Sequence, residues 1–210
     1  METNNFRKCE NFLNSFDKNQ ILNFINNLEM DLDEIQNLHI NEVASYLNGS
    51  AYMFDLSQTE LSNYLSTFQS SNQVFNTEIL PKVFFDLITK ISNTINLPLD
   101  NAFLQIIKMK KGGKIKKHYD TSYPGFINYK CNISLLSEDY LLFTSGENIA
   151  VKENDLYCFE ASLYSHWTDE FKQDRILLSY GFGLPYETLN RKEDEPIVRL
   201  SNRIFKYFQS

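Results

Sequence analysis

The sequence predicts a β-sandwich of jelly-roll type with helices packed on one of its sheets. Two observations carry that prediction. Residues 1–100 read mostly as amphipathic helix, and from Ala102 the pattern changes to short alternating runs separated by turn residues. A third is size: 210 residues suffice for one well-filled core, so a single domain is expected, with helical support over 1–100, the jelly-roll core over 101–186 and a closing helix over 187–210.

In chain order, residues 5–30 place Phe6, Cys9, Phe12, Leu13, Phe16, Ile21, Leu22, Phe24, Ile25 and Leu28 at steps of three and four. That spacing predicts one or two helices, with Asp17 as a cap. The acidic run 29–34 reads as a solvated loop, and His39 as a lone histidine without ligand spacing. Ser57-Gln-Thr-Glu60 is a capping box opening a helix to about residue 70. A further helix is expected over 77–96, its buried stripe Leu80, Phe84, Leu87, Ile88, Ile91 and Ile95, with Pro81 at an early position.

Strands are expected at 103–109, 114–120, 132–136, 140–144, 147–151, 156–159 and 175–181, with Gly112-Gly113 as the turn between the first two. Apolar Ile197, Leu200, Ile204 and Phe208 predict the closing helix.

Composition narrows the function classes. A net charge of -7 argues against general nucleic-acid binding, whose affinity comes from neutralising phosphates. Six lysines between Lys108 and Lys117 are the exception, either a steering patch for anions or a solvated hairpin. No apolar run reaches membrane-spanning length, and the N-terminus lacks a signal-peptide pattern. Cys9, Cys131 and Cys158 have no metal-like spacing, so a reducing cytoplasm is the simplest expectation.

The chemistry concentrates in Lys114-Ile-Lys-Lys-His118-Tyr-Asp120, answered by His166 and Arg175. On an extended strand His118 and Asp120 project to one face, two of the three ligands of a 2-His-1-carboxylate triad. His166 is the only later histidine and completes it. Such a triad leaves one face of the metal open, as non-haem Fe(II) oxygenases require. Arg175, Leu177 and Ser179 share a strand face, presenting a guanidinium fork and a hydroxyl to a carboxylate ligand. Trp167 either walls a substrate pocket or packs in the core; Tyr119 and Tyr123 are weaker pocket candidates.

His-x-Asp, the distant His166 and Arg175-x-x-x-Ser179 resemble the 2-oxoglutarate/Fe(II)-dependent dioxygenase superfamily. Leu104-Gln-Ile-Ile-Lys-Met-Lys-Lys-Gly-Gly-Lys-Ile-Lys-Lys-His118-Tyr-Asp120 and Asp155-Leu-Tyr-Cys-Phe159 resemble its prolyl-4-hydroxylase-like branch, over residues 103–184. The resemblance implies a double-stranded β-helix (jelly-roll, cupin-like) core. It also implies Fe(II) held by His118, Asp120 and His166, and 2-oxoglutarate as co-substrate anchored by Arg175 and Ser179. O2 would be the oxidant, with ascorbate as a candidate additional cofactor.

Met109 stands where the family often has a tyrosine touching 2-oxoglutarate, so Asn132 and Ser134 become candidates for that contact. Ser137-Glu-Asp-Tyr140 replaces a glycine pair that flanks prolyl substrates, which tells against a prolyl peptide. The implied activity is hydroxylation of an unactivated C–H bond in an amino acid, a related metabolite, or a peptide or protein residue. The alternatives are an AlkB-like nucleic-acid demethylase, disfavoured because Gly181 occupies the place of that group's second arginine, and an inactive metal-binding sandwich.

Overall fold

The computed structural model describes residues 6–27, 46–55, 73–75, 80–99, 102–120, 122, 124–137, 139–145 and 148–209, of which 46–55, 73–75 and 203–209 are described by backbone alone. The acidic run 29–34, His39, the helix expected after Ser57 and Tyr123 lie outside the described residues.

Among the described residues, ten strands form two sheets. In chain order they are β1 (Arg7–Cys9), β2 (Tyr46–Asp55), β3 (Gln73–Phe75), β4 (Phe103–Ile115), β5 (Phe126–Leu136), β6 (Tyr140–Thr144), β7 (Asn148–Val151), β8 (Leu156–Glu160), β9 (His166–Thr168) and β10 (Arg175–Pro185). The large sheet runs β1-β8-β5-β10-β4-β2-β3, and the small one β7-β6-β9. Helices α1 (Ser15–Asn27), α2 (Lys82–Ile95) and α3 (Pro196–Gln209) complete the described chain, with a 3-10 turn at Tyr186–Leu189. The architecture is mainly β with a few helices, as the sequence predicts.

Strict alternation gives the large sheet two different faces. Leu104 and Ile106 of β4, Cys131, Ile133 and Leu135 of β5, and Leu178, Tyr180 and Phe182 of β10 form one cluster with Ile21 and Ile25 of α1 and the stripe Phe84, Leu87, Ile88, Ile91 and Ile95 of α2. Tyr180 fixes the layer spacing by donating its hydroxyl to the Phe84 carbonyl at 3.0 Å. The opposite face turns Ile107, Met109, Tyr157, Phe159 and Leu177 toward Leu142 of β6 and Ile149 and Val151 of β7 in the small sheet.

The helix ends follow local chemistry. Asn14 caps α1 by accepting the Asp17 N–H at 2.8 Å, so Asp17 sits inside the first turn and is not itself the cap. Pro81 precedes α2, and Asn96 ends it in the left-handed region at φ 54°.

Three local expectations change. Residues 7–9 form β1 on the β8 edge, so the N-terminal helix starts only at Ser15. The first hundred residues also contribute β2, whose Asn-Gly-Ser resembles a turn by composition but belongs to a strand that pairs with β4 from Tyr46 to Asp55, with a register shift between Leu47 and Gly49. Gly112-Gly113 is not a hairpin turn. β4 continues through it to Ile115, with a register shift against β2, and Gly112 takes φ 79°. The bulged segment is held by Phe171, through Gly112 N–H to its carbonyl and its own N–H to the Gly113 carbonyl, each 2.8 Å. Asp120 therefore lies beyond the strand.

Candidate metal centre

His118 and His166 are brought together by their own backbones. They form an isolated antiparallel bridge, His166 N–H to His118 O at 2.9 Å and His118 N–H to His166 O at 3.2 Å. Asp120 is set by its N–H donating to the Ala161 carbonyl at 3.0 Å. The imidazole centroids come within 4.3 Å, and Asp120 Oδ1 lies 3.3 Å from His118 Nε2 and 3.7 Å from His166 Nε2. Neighbouring donors that are each about 2.1 Å from one ion stand about 3 Å apart, so these separations suit a shared metal.

Both rings are oriented for that task. His118 Nδ1 meets the Lys116 carbonyl at 2.7 Å and His166 Nδ1 the Tyr164 carbonyl at 3.2 Å. A carbonyl only accepts, so each Nδ1 carries the proton and each Nε2 keeps its lone pair for a metal. Burial pushes His166 down to about 3, with the His118 charge adding to the shift against the pull of Asp120. The ring is neutral and ready to ligate at ordinary pH. Burial alone would raise Asp120, but the Lys130 ammonium and the two imidazoles hold its carboxyl well below the usual carboxylate range. Lys130 Nζ lies 2.9 Å from Asp120 Oδ2 and donates to Gln105 Oε1 at 3.1 Å.

In the large sheet, the register aligns β4, β10, β5 and β8. Ser179 faces Gln105 on one side and Asn132 on the other, Asn132 faces Tyr157, and Arg175 faces Met109. Arg175 is only 2% exposed. Its guanidinium lies over the rings of Tyr140 and Phe171, at 4.0 and 4.7 Å. Nη2 donates to the Tyr140 hydroxyl and, at 3.2 Å, to that of Tyr157. Nε and Nη1 have no partner, nor do Ser179 Oγ and Asn132 Oδ1. Among the described residues no carboxylate pairs with this cation.

A buried guanidinium with two idle donors is costly unless a ligand supplies the anion. A carboxylate fits both the charge and the planar fork, and 2-oxoglutarate has one to spare after chelating a metal. The donor set therefore fits Fe(II) and 2-oxoglutarate together.

Of the residues singled out from sequence, Arg175 and Ser179 lie on β10, with Asn132 of β5 opposite Ser179. His118, Asp120 and His166 cluster with ligand atoms within 4.8 Å of one another. Ser134 is on the same face but its hydroxyl is spent on Ser137 Oγ at 2.7 Å. The sequence reading missed Tyr140 and Tyr157, whose phenols hydrogen-bond to each other at 3.0 Å and both accept from Arg175 Nη2. The available signal was Tyr157's parity with Asp155 and Phe159 on β8. Lys130 and Gln105 were also missed. Trp167 takes neither expected place. Alternation turns it to the outside of the small sheet, stacked on Phe143 at 5.6 Å with Lys117 over its ring.

No protein-family model matches the sequence, and no curated protein matches it. Solved structures do. A Pseudomonas putida prolyl-4-hydroxylase aligns with 87% of this chain and 94% of its own at 14% identity and TM-score 0.53. OsALKBH1 aligns over 86% of this chain and 99% of its own, at 13% identity and TM-score 0.55. The viral collagen prolyl hydroxylase of Paramecium Bursaria Chlorella virus-1, in its 2OG complex, aligns over 85% and 95% at 12% identity and TM-score 0.51. At such identities the likeness speaks for the fold: this chain has the double-stranded β-helix of the 2-oxoglutarate/Fe(II) oxygenases.

Proposed function

We propose that the protein is a 2-oxoglutarate- and Fe(II)-dependent oxygenase that hydroxylates an unactivated C–H bond of a small molecule or of a peptide residue. The observation that carries this reading is a His118–Asp120–His166 cluster joined to the buried, anion-deficient Arg175 through the neighbouring rings of Phe159 and Tyr157. Either feature alone has structural explanations; a metal site and an idle buried guanidinium on the same side of the sheet together suit a ligand that is both chelator and acid.

In this reading His118 Nε2, His166 Nε2 and Asp120 Oδ1 would hold the metal. Fe(II), when bound, supplies activation of O2, with 2-oxoglutarate as the source of two electrons. Arg175 Nε and Nη1 take the distal carboxylate, and the Ser179 hydroxyl and Asn132 carbonyl oxygen stand on neighbouring strands of the same face. The Tyr140 and Tyr157 phenols orient the guanidinium and supply the polar wall that Met109 does not. Burial raises the Tyr140 phenol well above its ordinary value, against the pull of Arg175, so it stays a neutral donor. The apolar wall of Ile107, Leu142, Val151, Phe159 and Leu177 excludes water and raises the strength of each polar contact.

Anaerobic titration with Fe(II) and 2-oxoglutarate tests the reading. A metal-to-ligand charge-transfer absorption is expected in the wild type and lost in His118→Ala. Its absence in the wild type would leave the inactive sandwich as the better account.

A further inference from the structure

The carboxylate of Asp120 is divided between two tasks. Oδ1 is the atom turned to the imidazoles, 3.3 Å from His118 Nε2 and 3.7 Å from His166 Nε2. Oδ2 is buried and takes no hydrogen bond, and the Lys130 ammonium stands against it at 2.9 Å as an ion pair. Gln105 fixes where that ammonium sits: its Oε1 accepts from Lys130 Nζ at 3.1 Å, and the residue is only 7% exposed. To make this contact Lys130 of β5 reaches across β10 to β4, and Gly181, its partner on β10, puts no side chain in the path.

An ion on the donor set proposed above has a limited number of places to fill. An octahedral centre offers six; three go to His118, His166 and Asp120 and two to a chelating 2-oxo acid, which leaves one for O2. Were Asp120 to bind through both oxygens, that last place would be gone. The two oxygens of a carboxylate are chemically equal, so something outside the ligand must make them unequal. A cation held at Oδ2 does so: a metal sliding toward that atom would close on the ammonium, and like charges repel steeply at such separations.

We infer that Lys130, steadied by Gln105, is a positioning residue that keeps Asp120 a one-oxygen ligand and so keeps a metal position open for O2. The inference rests on the proposed reading of the metal centre and gives this lysine a part in the oxygen step of that reaction. The backbone cannot do this work. The Asp120 N–H bond to the Ala161 carbonyl fixes the main chain and leaves the carboxylate free to turn about its own bonds. Only a side chain that meets one oxygen and not the other can choose between them, and Lys130 is placed to do that.

The test uses nitric oxide as a stand-in for O2. Anaerobic Fe(II)·2-oxoglutarate complexes of wild type, Lys130→Met and Lys130→Arg are titrated with it, and the electron paramagnetic resonance signal of the iron nitrosyl reports binding without turnover. In Lys130→Met the Fe(II)·2-oxoglutarate absorption should persist while nitric oxide affinity falls at least about tenfold. The sign is diagnostic, because removing a positive charge beside the metal would by itself strengthen its bond to nitric oxide. In Lys130→Arg, which keeps a cation at Oδ2, affinity should stay within about threefold of wild type. Unchanged or tighter nitric oxide binding in Lys130→Met overturns the inference, and so does an equal fall in both variants, which would tie the effect to the lysine's shape. Loss of the absorption in Lys130→Met also overturns it, by making the lysine a requirement for holding the metal at all. Absence of the absorption in wild type defeats the metal-centre reading itself, a separate failure.

Discussion

Replacing Arg175 by methionine separates a ligand anchor from a structural strut. The guanidinium presents two idle donors, Nε and Nη1, and is held by two tyrosine hydroxyls and two aromatic faces. A charge-assisted hydrogen bond contributes about 1.5–3 kcal/mol, so removing two to a carboxylate should cost about 3–4 kcal/mol of 2-oxoglutarate binding. That is two to three orders of magnitude in Kd. Stability should respond differently. The variant loses contacts to Tyr140 and Tyr157 but also sheds a buried, unmatched charge, whose desolvation costs several kcal/mol. The two nearly offset, and methionine fills much of the aliphatic volume, so unfolding free energy should stay within about 1.5 kcal/mol of wild type. Urea unfolding of the metal-free protein, with and without 2-oxoglutarate, measures both quantities. Wild-type affinity for 2-oxoglutarate in Arg175→Met, or a stability loss above about 3 kcal/mol, would refute the reasoning.

Other expectations follow from the same geometry. Ser179→Ala removes a buried hydroxyl with no protein partner, so stability should hold while 2-oxoglutarate affinity falls about tenfold, read by the anaerobic titration. The metal-free protein should lose stability as pH falls from about 6.5 toward 3, because the unfolded chain then protonates His166 while the folded ring, at about 3, does not. The slope is about 1.4 kcal/mol per pH unit, and His166→Gln should flatten it in urea titrations at pH 6 and pH 4. Breaking the Glu160–Arg191 ion pair, whose side chains are 0% and 4% exposed, by Arg191→Met should cost about 3–5 kcal/mol in chemical unfolding. Pairing it with Glu160→Leu should recover most of that loss.

Fold class and the side-by-side placing of His118 and Asp120 were legible in the sequence, and parts of the frame were not. Strand alternation put His118 and Asp120 on one face, and Arg175, Leu177 and Ser179 on another, from parity alone. Asp120 lies past the end of β4, and the His118–His166 bridge and the Asp120 N–H bond to the Ala161 carbonyl set it beside the histidines. β2 was not legible because Asn48-Gly49-Ser50 has the composition of a turn, and only pairing with β4 makes it a strand. Gly112-Gly113 misled for the complementary reason: glycines that permit a turn also permit a bulge, and the Phe171 backbone decides which. Tyr140, Tyr157 and Lys130 were hidden because their roles depend on which strands adjoin. Asn132 opposite Tyr157, and Lys130 opposite Gly181, are facts of sheet order.

The two-way backbone bridge between His118 and His166 has a bearing on how the protein keeps its metal. Forty-eight positions separate these histidines along the chain, and main-chain bonds hold the imidazoles close before any ion arrives. Loop closure is thus complete in the apo protein, and an incoming ion need only displace solvent and settle among donors already aimed. Stripping the metal should therefore leave an intact, reloadable receptacle.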